Sequence, residues 1–293
     1  MNTKRQSETV RVALQRITAE ERCAVDEALM AFGLMAVLAG MSRVPACREH
    51  VVLKGGTALR LFLGRSIGRV STDIDLSLLD TTHPVPIDVF TGDVRRETTN
   101  AIAEVFSDPA EIDIQLLEDR TTPPYPETPK MVKFRLSARY QKTLANRSLF
   151  LAELTLDEYV DQHLTKIIER DLYGLRVSLR AYAPVQAIAE KLRAILQKHQ
   201  HFDRNGNLGN FEPRHVLDLV PLSELLEAGD LELLKPLFHR KCDARLVTPA
   251  ERTRARLMNP HLHSAVEQEC QRQGIAPVAW ERLRKFAELV CDS

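Results

Sequence analysis

The rhythm of apolar and polar positions changes twice along the chain. Residues 8 to 41 are rich in Ala, Leu and Met with helical periodicity. Residues 50 to about 182 instead alternate short apolar runs with polar stretches, the pattern of half-buried strands. It predicts strands at His50–Leu53, Asp73–Leu79, Ile112–Leu117, Met131–Ala138, Leu149–Leu156 and Arg176–Tyr182, and a helix over Ile87–Phe106. The four prolines of Thr121–Pro129 remove four backbone donors, which predicts an exposed loop. From Pro184 onward the pattern is almost entirely helical. Pro184 suits a first helical turn, and Ile188, Leu192, Ile195 and Leu196 form one stripe. The Gly- and Asn-rich stretch His201–Pro213 predicts a loop, with helices at 214–220, 222–228, 231–241, 248–258, 260–273 and 276–290. The expected layout is α+β: a mixed sheet with flanking helices over residues 1–182, then a helical domain over 183–293.

Composition narrows the classes. Lys plus Arg and Asp plus Glu both number 40, so the net charge is zero. That argues against a polybasic binder while leaving room for a local basic groove. The 44% apolar content can bury a core, which excludes disorder as the main state. Cys23, Cys47, Cys242, Cys270 and Cys291 are scattered without CxxC spacing. Neither a zinc site of that type nor a disulfide framework is expected; reduced thiols in the cytoplasm are. The longest apolar run, Met30–Met41, is shorter than the roughly 20 residues of a membrane span. A buried helix is expected there, with no membrane association and no targeting segment.

The densest chemistry lies in Leu53-Lys54-Gly55-Gly56-Thr57-Ala58-Leu59 and Arg69-Val70-Ser71-Thr72-Asp73-Ile74-Asp75-Leu76. On a strand, Asp73 and Asp75 share a face with Cα atoms about 6.6 Å apart, while Ile74 and Leu76 point the other way. Adjacent half-buried carboxylates repel and call for a cation, and a hard ion such as Mg²⁺ or Mn²⁺ takes oxygen ligands. Gly55-Gly56 lets backbone amides approach a ligand, and a helix beginning near Thr57 adds its N-terminal donors. Alone, the Asp pair reads equally as a solvated strand face and the glycines as a tight turn. Neither GxxxxGK[ST] nor GxGxxG is present.

Together, the strand, Gly-Gly-Thr, short helix and Ser-x-Asp-x-Asp resemble the polymerase-β-like nucleotidyltransferase superfamily. The fuller wording resembles its AbiEii/AbiGii branch, nucleotidyltransferase-like toxins of bacterial toxin–antitoxin and phage-defence systems that include the MenT toxins. Ala187-Ile188-Ala189-Glu190-Lys191-Leu192-Arg193-Ala194 is similar to the family's second motif, with its Lys at Lys191. Arg214-His215-Val216-Leu217-Asp218-Leu219 is similar to its last motif, with its Asp at Asp218. His215 stands where the family often has an acid.

The resemblance implies a polymerase-β-like fold whose helical C-terminal domain completes the cleft. It implies nucleotide contacts from Lys54, Gly55, Gly56, Thr57, Arg69, Ser71 and Lys191. Asp73 and Asp75 would hold metal, with a third carboxylate from Glu153 or its rival Asp113. Catalysis would involve Asp73, Asp75, Ser71, Lys191 and Asp218. Helix geometry singles out Lys191 independently, about 40° from Ile195 and 60° from Ile188 at the edge of the buried stripe; Glu190 and Arg193 fall well away from it. Asp218, flanked by Val216, Leu217, Leu219 and Val220, is expected to pair with Lys191 or an arginine. Ser71 shares the face of the Asp pair and is a candidate for phosphorylation.

The implied reaction is Mg²⁺-dependent transfer of nucleotide from NTP to the 3′ end of tRNA, blocking translation. A cognate antitoxin without stable direct binding is implied as well. Basic residues within 161–205 and at Arg252, Arg254 and Arg256 are candidate phosphate contacts or solvated helix faces. Competing readings are modification of a protein or small molecule, phosphotransfer from NTP, and a binding module without catalysis.

Overall fold

The computed structural model describes residues 8–64, 73–80, 85–108, 110–120, 130–140, 148–205, 213–274 and 278–291. It divides into two units, one of Met1–Asp157 with Lys166–Ala181 and one of Glu158–Thr165 with Tyr182–Ser293. The loop expected at 121–129 lies outside the described residues.

The first unit begins with α1 (Val10–Glu21), capped by the Thr9 hydroxyl, which accepts from the Val12 N–H at 3.3 Å. The helix stops where Arg22 turns left-handed. α2 (Val25–Met41) follows, with Asp26 and Glu27 in its positive first turn. Residues 31–41 of α2 are all buried, as a helix apolar on every side requires. Among the described residues no single helix is long and apolar enough to cross a membrane. α1 and α2 together pass that test as a pair bent by 109°, but α2 is core here.

After α3 (Pro45–His50) come β1 (Val51–Lys54), α4 (Gly55–Leu63) and β2 (Asp73–Leu78). A π-helical segment, Val89–Val94, runs into α5 (Arg95–Val105), so the helix expected at 87–106 is present with a wider first part. Then follow β3 (Glu111–Asp119), β4 (Met131–Arg139), β5 (Ser148–Thr155), β6 (Thr165–Leu172) and β7 (Leu175–Tyr182). The sheet order is β3-β4-β5-β2-β1-β7-β6. β2 pairs antiparallel with β1 and parallel with β5, so the Asp pair lies in mid-sheet. Ile74, Leu76, Phe134, Phe150 and Leu154 point to one face and join the core with α1, α2 and α5. Asp73 and Asp75 are on the opposite face, as the strand period demands.

The apolar pattern does not predict β6. Glu169, Arg170 and Asp171 interrupt its alternation, and its pairing is set by a two-residue turn. Tyr173 and Gly174 both have positive φ, 58° and 82°, the conformation that joins hairpin strands tightly.

The second unit is helical beyond β7. α6 (Pro184–Asn205) buries Ile188, Leu192, Ile195 and Leu196. It continues to Asn205, five residues into the stretch expected as loop. α7 (Arg214–Leu217), α8 (Leu219–Glu224), α9 (Asp230–Ala244), α10 (Arg254–Leu257), α11 (Pro260–Gln273) and α12 (Val278–Val290) follow. The helix expected at 222–228 lies earlier because Pro221 occupies a first-turn position, where its missing N–H costs nothing. The helix expected at 248–258 is split. Pro249–Glu251 forms a separate 3-10 turn. Thr253 then caps α10, accepting from the Arg256 N–H at 3.3 Å.

A buried ion network ties this unit together. Lys241, 1% exposed, lies 3.4 Å from Glu158 Oε1 and 3.4 Å from Glu190 Oε2. Its ammonium also donates to the Tyr159 carbonyl at 3.0 Å and sits 4.3 Å from the Tyr182 ring centroid. Arg193 pairs with Glu190. Burial opposes the charge on Arg193, but Glu190 and Glu158 more than offset it and raise its pKa.

Candidate active site

β2 aligns the polar groups by register. Asp75 is the cross-strand partner of Lys54 on β1 and of Glu153 on β5, and Glu153 in turn of Lys133 on β4. The row therefore reads Lys54, Asp75, Glu153, Lys133 across four neighbouring strands. Asp73 begins the next row, opposite Leu151. Glu153 is held 3.3 Å from the Lys133 ammonium, and the Lys54 ammonium donates to Thr155 Oγ1 at 3.2 Å.

Gly55, at the start of α4, has φ +71°, a region that side-chain-bearing residues rarely occupy. A Cβ there would lie 2.0 Å from Asp75 Oδ2. The glycine is thus required twice, for its backbone and for the carboxylate packed against it. The helix begins at Gly55 rather than near Thr57, and Lys54 at the capping position supplies no side-chain cap. Buried Thr57 donates its hydroxyl to the Asp73 carbonyl at 2.7 Å. That bond fixes the first turn of α4 to the first residue of β2.

The donor set suits a small hard cation. Mg²⁺ typically takes one or two carboxylates and completes its shell with water and phosphate oxygens. Asp73 and Asp75 supply such a pair on one strand face. Among the described residues no group of three or more His, Cys, Asp or Glu gathers for a metal, so the pair and not a protein cage is the fit. Of the two third-carboxylate candidates, Glu153 is in the strand beside Asp75. Asp113 is on β3, separated from β2 by β4 and β5, and pairs with Arg95 at 3.6 Å.

In the second unit the structure brings Lys191 and Asp218 together. They are 7% and 5% exposed, and the Lys191 ammonium donates to Asp218 Oδ2 at 2.6 Å. The stripe geometry put Lys191 at the edge of the buried face. It is inside because Asp218, at the junction of α7 and α8, neutralises it. Glu190 and Arg193, outside the apolar stripe, are also inward because Lys241 and Glu158 meet them. Arg69 and Ser71 lie outside the described residues.

The basic stretches are largely engaged by their own unit. Arg252 pairs with Asp243, Arg254 with Glu288 at 2.8 Å, and Arg256 with Glu251 at 3.9 Å. Arg170 donates to the Leu61 and Phe62 carbonyls at 2.9 and 3.0 Å, capping α4. Two residues near the chemistry carry no mark in the sequence. Lys133 faces Glu153 only through the β4–β5 register. Arg60 is buried with Glu21 and Tyr173 inside what reads as an ordinary amphipathic helix.

A profile described as "Nucleotidyl transferase AbiEii toxin, Type IV TA system" matches residues 37–287. Among solved structures, the MenT4 nucleotidyltransferase toxin of Mycobacterium tuberculosis superimposes with a TM-score of 0.50 at 19% identity. The match covers 96% of this chain and 90% of that one, and it establishes a common fold. No curated protein matches the chain.

Proposed function

Because the chain belongs to the AbiEii nucleotidyl transferase toxin family of type IV toxin–antitoxin systems, we propose that it transfers a nucleotide from NTP to the 3′ end of tRNA and so stops translation. The observation that carries this reading is the packing of the Asp75 carboxylate against the Gly55 backbone, with Asp73 on the same face. A phosphate-approachable backbone and a divalent-ion donor pair then share one end of the β1–β2 pair.

In the proposed reaction the acceptor hydroxyl oxygen forms a bond to the α-phosphorus, and the bond from that phosphorus to pyrophosphate breaks. Bound Mg²⁺ would neutralise charge on the phosphates and lower the pKa of the attacking hydroxyl. Gly55, Gly56 and Thr57 would hold the phosphates through the first turn of α4, with Lys54, Arg69 and Ser71 contributing cationic and hydroxyl contacts. Glu153, next to Asp75, would take the proton of the acceptor hydroxyl, oriented by Lys133. Asp73 and Asp75 would hold the ion. Lys191 and Asp218 are proposed as a pair needed for activity. The catalytic effect would come chiefly from positioning and charge neutralisation. The site of action would be the cytoplasm, with an antitoxin that opposes the toxin without stable binding.

The test is incubation of the purified protein with total tRNA, Mg²⁺ and each α-phosphate-labelled NTP in turn. Label in tRNA is expected, and its loss in Asp73→Asn, in Asp75→Asn and on chelation. Label entering only from the γ-phosphate, or entering protein alone, would overturn the reading.

A further inference from the structure

Taking nucleotidyl transfer as its basis, we propose that Arg135 on β4, with Leu149 and Leu151 on β5, forms the seat of a single-stranded nucleic-acid acceptor, Arg135 binding its phosphodiester backbone. Leu151 is opposite both Asp73 and Arg135 in register, so the three side chains share a face in the row Asp73, Leu151, Arg135. Strand spacing puts the Asp73 and Arg135 Cα atoms about 9.5 Å apart.

Three features separate this strip from an ordinary solvated strand. Arg135 is exposed, and its guanidinium makes no hydrogen bond or ion pair among the described residues. Most basic residues considered above are instead engaged by acids or helix ends. Its two cross-strand neighbours, Leu151 and Gln115, are neutral. Leu149 and Leu151 are 54% and 38% exposed, yet β5 is an interior strand flanked by β2 and β4. Exposed leucines beside an unpaired guanidinium complement a chain that repeats an apolar base or sugar face with an anionic phosphate.

Reaction geometry places the acceptor on this side. In-line displacement sets the attacking and leaving oxygens on opposite sides of the reacting phosphorus. Gly55 and Gly56 flank β2 through β1 and α4, so a leaving pyrophosphate held there points away from β5. The attacking strand then enters over β5 and β4, where Leu151 and Arg135 are. The ligand of Arg135 is the acceptor's phosphodiester, not the NTP triphosphate.

The experiment uses the full chain, a fluorescein-labelled single-stranded RNA read by anisotropy across a salt series, and a fluorescent ATP analogue titrated separately. Arg135→Gln is expected to weaken RNA binding several-fold and to lower the slope of log affinity against log salt by about 0.7, one phosphate contact. Arg135→Lys should restore the slope, and Leu151→Ser should weaken binding while leaving the slope intact. Binding of the ATP analogue should not change in any variant. RNA affinity and slope unchanged in Arg135→Gln would overturn the inference. So would loss of analogue binding instead, or absence of RNA binding by the unsubstituted protein. RNA binding that depends on Arg135 without any transfer would support the seat and count against the proposed function alone.

Discussion

Replacing Gly55 by alanine tests how the site is built. The residue's φ of +71° is strained for any L side chain, at about 1–2 kcal/mol. The added Cβ would also lie 2.0 Å from Asp75 Oδ2, and real contacts do not fall below 3.0 Å. The carboxylate must therefore retreat by about 1 Å, a displacement that can cost roughly a hundredfold in rate. Gly55→Ala is expected to lose about 1–3 kcal/mol of stability and nearly all activity. With Asp75→Ala the oxygen is gone and the nearest remaining atom is the Cβ at position 75, 3.1 Å away. There Gly55→Ala should cost backbone strain alone, so the two substitutions should couple by about 1 kcal/mol or more. Urea denaturation of the four proteins, followed by far-ultraviolet circular dichroism, reads the coupling directly. An equal cost in both backgrounds, or a fully active Gly55→Ala protein, would show that Asp75 does not depend on the space at position 55.

Further predictions concern burial and charge. Lys191→Met leaves Asp218 buried without its cation and should destabilise by about 3–5 kcal/mol. Lys191→Met with Asp218→Leu should recover most of that loss in urea titrations yet remain inactive; recovered transfer would make the pair purely structural. Lys241→Met removes the cation that Glu158 and Glu190 share, leaving Arg245 at 3.9 Å from the one and Arg193 beside the other, and should cost about 3 kcal/mol; Trp280 fluorescence, within the same unit, should show the urea midpoint fall, and an unchanged midpoint would contradict the network. Burial pushes the Cys47 and Cys242 thiols up from 9.0 to about 12. Their contribution to stability is therefore full below pH 9 and lost as pH rises toward 12. At neutral pH, mass spectrometry after alkylation should find Cys23, which is partly exposed, modified before either; the reverse order would contradict their burial.

Much of this was legible in the residue pattern because it depends on short periods. Alternation through Asp73-Ile74-Asp75-Leu76 sets both acids on one face and both apolar residues in the core. The continuous apolar run of α2 and the stripe of α6 likewise announce burial. What the pattern misses depends on partners distant in sequence. β6 is specified by its hairpin and not by alternation. Lys133 meets Glu153 only once β4 and β5 are in register. Glu190, Arg193 and Lys241 look like solvated charges until they are seen to neutralise one another. Gly55 reads as a residue that admits a ligand, and the fold adds that it also makes room for Asp75.

The most direct test is the mass of the RNA product. After incubation of tRNA with the protein, Mg²⁺ and the preferred NTP, a gain of one or more nucleoside monophosphate units at the 3′ end is expected. That gain should be absent with Asp75→Asn. A gain of a bare phosphate group, or an unchanged tRNA beside a modified protein, would contradict it.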